Sequence, residues 1–229
     1  MATISDNLQA VTGRIAAAAR ACGRNADEIT LLAVSKTFGV DAVSAALACG
    51  QHAFGENYVQ EALDKIAAVR GAPEWHYIGP IQSNKTRQIA ESFAWVHSVD
   101  RLKIAERLSA ARPPELPPLQ LCIQVNIGDE NTKSGVAPAD TAALARSVAA
   151  LPRLRLRGLM TIPPPTVDSS RQRSHFAALR ELKTQIGNGG LPLDTLSMGM
   201  SADLEAAIAE GATIVRVGTA IFGDRRSRQ

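Results

Sequence analysis

Short apolar runs alternate with segments of helical period along almost the whole chain. Leu31-Leu32-Ala33-Val34 ends abruptly in Ser35-Lys36-Thr37, and the pattern predicts a buried strand over 29–35. The segment 41–50 then reads as a helix, with Val43, Ala46 and Leu47 on one face and Gly50 as its stop. The same alternation predicts strands at 53–57, 75–79, 95–98, 119–126, 156–161, 195–198 and 214–217. Between them lie helices carrying Val59, Leu63, Ile66 and Val69; the segment 84–93; Leu102, Ala105 and Leu108 behind an Asp100 N-cap; Leu144 and Val148; Phe176, Leu179 and Ile186; and 202–209. A further helix over 6–21 precedes the first strand, with Leu8, Val11, Ile15 and Ala19 in register. Pro163-Pro164-Pro165 forces an extended exit from the sixth strand.

Eight strand candidates alternating with helices predict a closed parallel (β/α)8 barrel, a TIM barrel with an additional N-terminal helix. No helix is expected after the eighth strand, so the N-terminal helix is expected to cover that seam. The competing architecture, an open doubly wound sheet, lacks its glycine-rich fingerprint: Ser-Lys-Thr-Phe-Gly follows Val34. Pro113-Pro114 and Pro117-Pro118 do not interrupt the alternation, and residues 1–229 are expected to form one domain.

Composition narrows the function classes. A 45% hydrophobic and 21% charged content is that of a globular protein, and the net charge of +3 is small. Two arginine clusters, at 153–157 and 225–228, have no aromatic residues interleaved, so no nucleic-acid partner is expected. The odd and widely spaced Cys22, Cys49 and Cys122 argue against a disulfide framework. His52, His76, His97 and His175 show no metal-ligand spacing. With no signal core and no apolar run approaching roughly 18 residues, no membrane association and a cytoplasmic location are expected.

In a barrel the carboxyl ends of the strands converge on one face. There the chain places Lys36, Glu56-Asn57, His76 to Gly79, Ser98, Asn126, Met160-Thr161, Ser197 to Ser201 and Arg216 to Thr219. A partly desolvated Lys36 is a candidate Schiff-base amine, although a lysine snorkelling from a strand end accounts for the same residues. Ser197-Met198-Gly199-Met200-Ser201 is read as opening a helix, and Gly218-Thr219 follows the eighth strand. These are the two loops where the fold commonly holds phosphate. The combination admits a phosphosugar aldolase, for which Glu56 is the only obvious acid or base. It also admits pyridoxal 5′-phosphate, with Arg216 within reach of the pyridine nitrogen.

The residues that carry a family resemblance are Leu32-Ala33-Val34-Ser35-Lys36-Thr37, Phe54-Gly55-Glu56-Asn57-Tyr58, Trp75-His76-Tyr77-Ile78-Gly79-Pro80, Lys133-Ser134-Gly135, Leu196-Ser197-Met198-Gly199-Met200-Ser201 and Val215-Arg216-Val217-Gly218-Thr219. In that order they resemble the pyridoxal phosphate homeostasis protein family, single-domain relatives of the alanine racemase barrel, and the likeness runs nearly end to end. The resemblance implies that Lys36 carries pyridoxal 5′-phosphate as an internal aldimine. It implies that Met200, Ser201, Gly218 and Thr219 surround the phosphate, that Arg216 lies near the pyridine nitrogen, and that Asn57 and His76 line the site.

The implied role is intracellular balance of free pyridoxal phosphate without an established catalytic reaction. Other B6 vitamers and pyridoxal-phosphate-dependent apo-enzymes are the expected partners. Phe38 and Val40 depart from the lysine and proline expected after Ser-Lys-Thr, and Lys133 is a candidate second lysine. A racemase is the alternative, disfavoured because the chain is expected to lack the additional β-domain that supplies a second base. The same expectation favours a monomer.

Overall fold

The computed structural model describes residues 2–128 and 134–223. Lys133 and the basic residues 225–228, both singled out above, lie outside them.

Eight parallel strands close into a barrel in sequential order: β1 (Thr30–Val34), β2 (Ala53–Glu56), β3 (Glu74–Tyr77), β4 (Trp95–Val99), β5 (Leu119–Gln124), β6 (Leu154–Met160), β7 (Thr195–Ser197) and β8 (Ile214–Val217). Closure is made by β1, which pairs Ala33 with Phe54 of β2 on one side and with Val217 of β8 on the other. The expected fold is therefore the observed one. Helices α1 (Ile4–Ala21), α2 (Val40–Ala48), α3 (Val59–Ala68), α4 (Thr86–Ser92), α5 (Leu102–Ala111), α6 (Pro138–Ala149), α7 (Ser169–Asn188) and α8 (Leu204–Ala209) surround the barrel.

The apolar stripes of the helices and the outward residues of the strands form the main core, a shell between helices and barrel. Leu8, Val11, Ile15 and Ala19 of α1 are all buried in it. A capping box between Thr3 and Asp6 starts this helix. Packed against α2 and α8, α1 covers the seam between the ends of the sheet, as its position in the sequence predicts. One turn of helix, α9 (Thr219–Phe222), does follow β8, contrary to expectation, and Asn7 of α1 donates to its Ile221 carbonyl at 2.8 Å.

Two further expectations are corrected. Asp100 does not cap α5: the N-cap is Arg101, and the Asp100 carboxylate accepts from the Arg101 side chain at 2.7 Å. Helix α3 is rotated relative to the predicted stripe. Leu63 and Ile66 are only partly buried, and Lys65 lies inside instead. A buried ion cluster described below holds it there.

The barrel interior has its own small apolar layer, which includes Leu32, Trp95, Cys122, Met160 and Ile214. Above and among these are buried polar groups: His76, His97, Ser197 and Arg216. Among the described residues no helix is long and apolar enough to cross a membrane, and no His, Cys, Asp and Glu cluster is placed to hold a metal.

Candidate functional site

A cavity of about 240 Å³ opens at the carboxyl ends of β1, β7 and β8. Of the residues singled out in the sequence, Lys36, Asn57, Met200, Ser201, Arg216, Gly218 and Thr219 all line it. Val34, Phe38, Ile78 and Ile162 supply apolar wall. Ile78 is among the strand-end residues the sequence placed at the mouth; only tertiary packing selects Val34, Phe38 and Ile162.

Lys36 stands at the end of β1 on a turn with unusual backbone. Thr37 has φ 70°, a left-handed conformation that a threonine holds only when its surroundings impose it. Here the Thr37 N–H donates to Glu61 Oε1 at 2.6 Å, and the Phe38 N–H closes the turn onto the Ser35 carbonyl at 3.1 Å. Lys65 lies beneath. Its ammonium donates to the Ser35 carbonyl at 2.8 Å, to Glu56 Oε1 at 2.7 Å and to Glu61 Oε1 at 2.7 Å. The Phe38 ring packs on Phe222 of α9, with centroids 5.1 Å apart, and so joins this turn to the loop after β8.

Glu56 is fully buried and also accepts from the Ser35 hydroxyl at 2.6 Å. Burial pushes its carboxyl above the ordinary range, and Lys65 draws it back. The carboxylate does not line the cavity, so it is a fastening of the Lys36 turn and not the acid or base that an aldolase needs. In the sequence the Glu61/Lys65 spacing of four reads only as a surface helix pair and does not disclose this cluster.

Arg216 is buried at the floor of the cavity. Its guanidinium donates to Ser197 Oγ and to the Thr161 carbonyl, each at 2.8 Å. Desolvation pushes its pKa down to about 10, with Asp203 and Cys122 opposing, so it stays charged at neutral pH.

The loop after β7 differs from its predicted form. Ser201 does not open the helix: α8 begins three residues later with Asp203 as N-cap, and Asp203 accepts the Met200 N–H at 2.6 Å. Gly199 makes the loop possible. Its φ is 91°, and a Cβ there would lie 2.5 Å from Ala207 Cβ. From outside, Arg14 of α1 donates to the Ser201 carbonyl at 3.0 Å and to Glu205 at 2.8 Å. Gly218 passes close to β1, where a Cβ would meet the Val34 carbonyl at 3.1 Å, and Thr219 starts α9.

His76 is placed elsewhere. It does not line the cavity but lies within the barrel, its imidazole on Glu74, His97 and Trp95. It sits on β3 before the strand's carboxyl end, one layer below the mouth, whereas Asn57 follows the last residue of β2. Asn57 is held by backbone contact: a Cβ on Gly79 would fall 2.2 Å from the Asn57 carbonyl. Its side-chain oxygen is buried and has no hydrogen-bond partner among the described residues.

The sequence matches the family model for the alanine racemase N-terminal domain over residues 7–226. Two relatives, both named pyridoxal phosphate homeostasis protein, come from Pseudomonas aeruginosa and Escherichia coli K12. The first is 60% identical, covering 98% of this chain and 97% of its own, and the second is 55% identical, covering 98% of each. Among solved structures, PipY of Synechococcus elongatus with PLP bound superposes with a TM-score of 0.84 at 36% identity, over 96% of this chain and all of its own. An alanine racemase of Clostridium difficile shares the fold at a TM-score of 0.76 and 14% identity, over 97% of this chain and 58% of its own. The fold, the order of the strand-end motifs and these relatives agree: the chain belongs to the alanine racemase N-terminal domain family, among the pyridoxal phosphate homeostasis proteins.

Proposed function

We propose that this protein binds pyridoxal 5′-phosphate in the cavity at the barrel mouth and serves to buffer it and hand it to apo-enzymes. The observation that carries the reading is the convergence of Lys36 and Arg216 on one cavity with Ser201 and Thr219 at its edge. The residues fit the group. The cavity lined by the Lys36 side chain also holds two hydroxyls, a buried guanidinium and an Asn57 oxygen unpartnered among the described residues. When bound, pyridoxal 5′-phosphate supplies an aldehyde that reacts reversibly with primary amines.

Lys36 is the residue that retains the group covalently, and the clamp of Lys65 and Glu61 keeps its backbone in place. Ser201, Thr219 and the backbone around Gly218 hold the phosphate, with Met200 beside them. Arg216 donates toward the pyridine nitrogen, and as a cation it disfavours a proton there. Asn57 orients the ring edge. The apolar wall of Val34, Ile78 and Ile162 excludes water from one side of the site.

On this reading the protein works in the cytoplasm as a one-domain monomer, takes other B6 vitamers that carry the same phosphate, and has no turnover of its own. The homeostasis name of its near relatives, rather than an enzyme name, supports that last point.

The test is uptake of pyridoxal 5′-phosphate by the purified protein, followed by borohydride reduction and peptide mapping, for wild type and Lys36→Ala. A visible absorption band in the wild type, and a reduced adduct confined to the Lys36 peptide, are expected. A protein that stays colourless, or an adduct on another lysine, overturns the proposal.

A further inference from the structure

A line of buried polar groups crosses the barrel interior from Arg216 to the opposite, amino-terminal face. Arg216 Nη1 donates to Ser197 Oγ at 2.8 Å. Ser197 Oγ is 2.8 Å from His97 Nδ1, His97 Nε2 is 2.9 Å from His76 Nδ1, and His76 Nε2 is 2.8 Å from Glu74 Oε1. Ser197, His97 and His76 are all buried, whereas the Glu74 side chain is 52% exposed. It borders a second hollow of about 580 Å³ on that face.

The two ends dictate the direction of every bond between them. A guanidinium can only donate and a carboxylate can only accept. Ser197 Oγ must therefore accept from Arg216, and, working back from Glu74 through two neutral imidazoles, its own hydroxyl proton goes to His97 Nδ1. His97 is then the neutral tautomer with its proton on Nε2, which it donates to His76 Nδ1. His76 likewise carries its proton on Nε2 and gives it to Glu74. Each bond along the line thus runs in one sense only. Trp95 holds the geometry: its ring lies parallel to His76, 4° apart in plane with centroids at 5.4 Å.

We propose that Glu74, His76 and His97 are positioning residues for Arg216, acting through Ser197 as a hydrogen-bond relay of fixed polarity. The proposal rests on the cofactor reading for the importance of Arg216. With the relay in its forward sense, a Ser197 lone pair is free for the guanidinium. In the reverse sense His97 Nδ1–H takes the second lone pair of that oxygen, and among the described residues the hydroxyl proton is left without an acceptor. The relay thus fixes where Arg216 stands, from a carboxylate on the far side of the barrel. The other charged or titratable groups facing the line are Arg157, stacked over Trp95 at 5.1 Å, Cys122 on β5, and Asp203 beside Arg216. None interrupts it.

The decisive experiment is nitrogen-15 NMR of the histidine side chains in the protein free of pyridoxal phosphate, for wild type and Glu74→Lys. In the wild type both His76 and His97 should carry their proton on Nε2. A lysine at position 74 donates where the carboxylate accepted, so both imidazoles should move their proton to Nδ1, although His97 does not touch residue 74. A wild-type imidazole protonated on Nδ1 overturns the proposal without any variant, as does an unchanged His97 in folded Glu74→Lys.

A second arm reads the cofactor. The absorption maximum of the protein loaded with pyridoxal 5′-phosphate should shift in Glu74→Lys, and the shift should vanish in a Ser197→Ala background. A shift that survives Ser197→Ala overturns the relay. Failure to take up pyridoxal phosphate at all would instead strike the cofactor reading, and the NMR arm would still decide the relay.

Discussion

Lys65 Nζ lies 2.7 Å from Glu56 Oε1 with both side chains buried, and the same ammonium holds the Ser35 carbonyl, one residue before Lys36. A helix residue thereby anchors the end of a strand. Removing one member of a buried pair leaves the other charge without compensation, which costs about 3–5 kcal/mol. Lys65→Met should destabilise the protein by about that amount in urea unfolding at neutral pH. The additional change Glu56→Gln should recover part of the loss. A single variant as stable as wild type would show that Glu56 does not need its partner.

The hydroxyl contacts proposed for the phosphate are separable from the fold, because Ser201 lies in the loop after β7 and Thr219 in the single turn of α9, both at the barrel mouth. A hydrogen bond to a charged group contributes about 1.5–3 kcal/mol, so Ser201→Ala and Thr219→Val should each weaken pyridoxal phosphate binding about tenfold or more. Equilibrium titration gives the dissociation constants. Unchanged constants in both variants would place the phosphate elsewhere.

Two glycines should respond in opposite directions to alanine. At Gly199 the positive φ and the 2.5 Å approach to Ala207 leave no room for a methyl group, and Gly199→Ala should cost about 1–3 kcal/mol. Gly13 lies on the exposed side of α1 with nothing within 4 Å of its Cβ position. Gly13→Ala should stabilise by about 0.5–1 kcal/mol, since it lowers the backbone entropy lost on forming the helix. Thermal or urea unfolding of the two variants checks both signs.

His76 and His97 give the protein an acid-side weakness. Burial holds both imidazoles below the ordinary value of 6.5, His97 most strongly, with Glu74 partly offsetting the effect at His76. As pH falls through 6.5 the unfolded chain takes up protons that the folded protein still refuses, so stability declines from there downward. Asp203 and Glu56, raised by burial, act in the opposite sense, but only as pH falls through their folded values toward the ordinary carboxylate range. The urea midpoint should therefore drop between neutral and mildly acidic pH. His97→Gln, which keeps hydrogen-bonding groups but cannot titrate, should flatten the slope. An equally steep slope in that variant would assign the acid sensitivity to other groups.

The alternation of apolar runs with helical stripes was enough to specify a closed barrel, because a strand buried on both faces and a helix buried on one leave different periods in the sequence. It also placed Lys36, Asn57, Ser201, Arg216 and Thr219 at one mouth, since parallel strands direct all their carboxyl ends the same way. Depth within the barrel was beyond it. His76 and Asn57 both belong to strand-end segments, yet one lies in the interior and the other at the rim, and that difference comes from strand stagger set by pairing across the whole sheet. The inward turn of Lys65 was equally hidden. A lysine on a helix reads as solvated until a buried Glu56 from another strand is brought within 2.7 Å of it. Local periodicity records which face of an element is dry. Only the assembled barrel decides which charges are enclosed, because enclosure depends on partners remote in sequence.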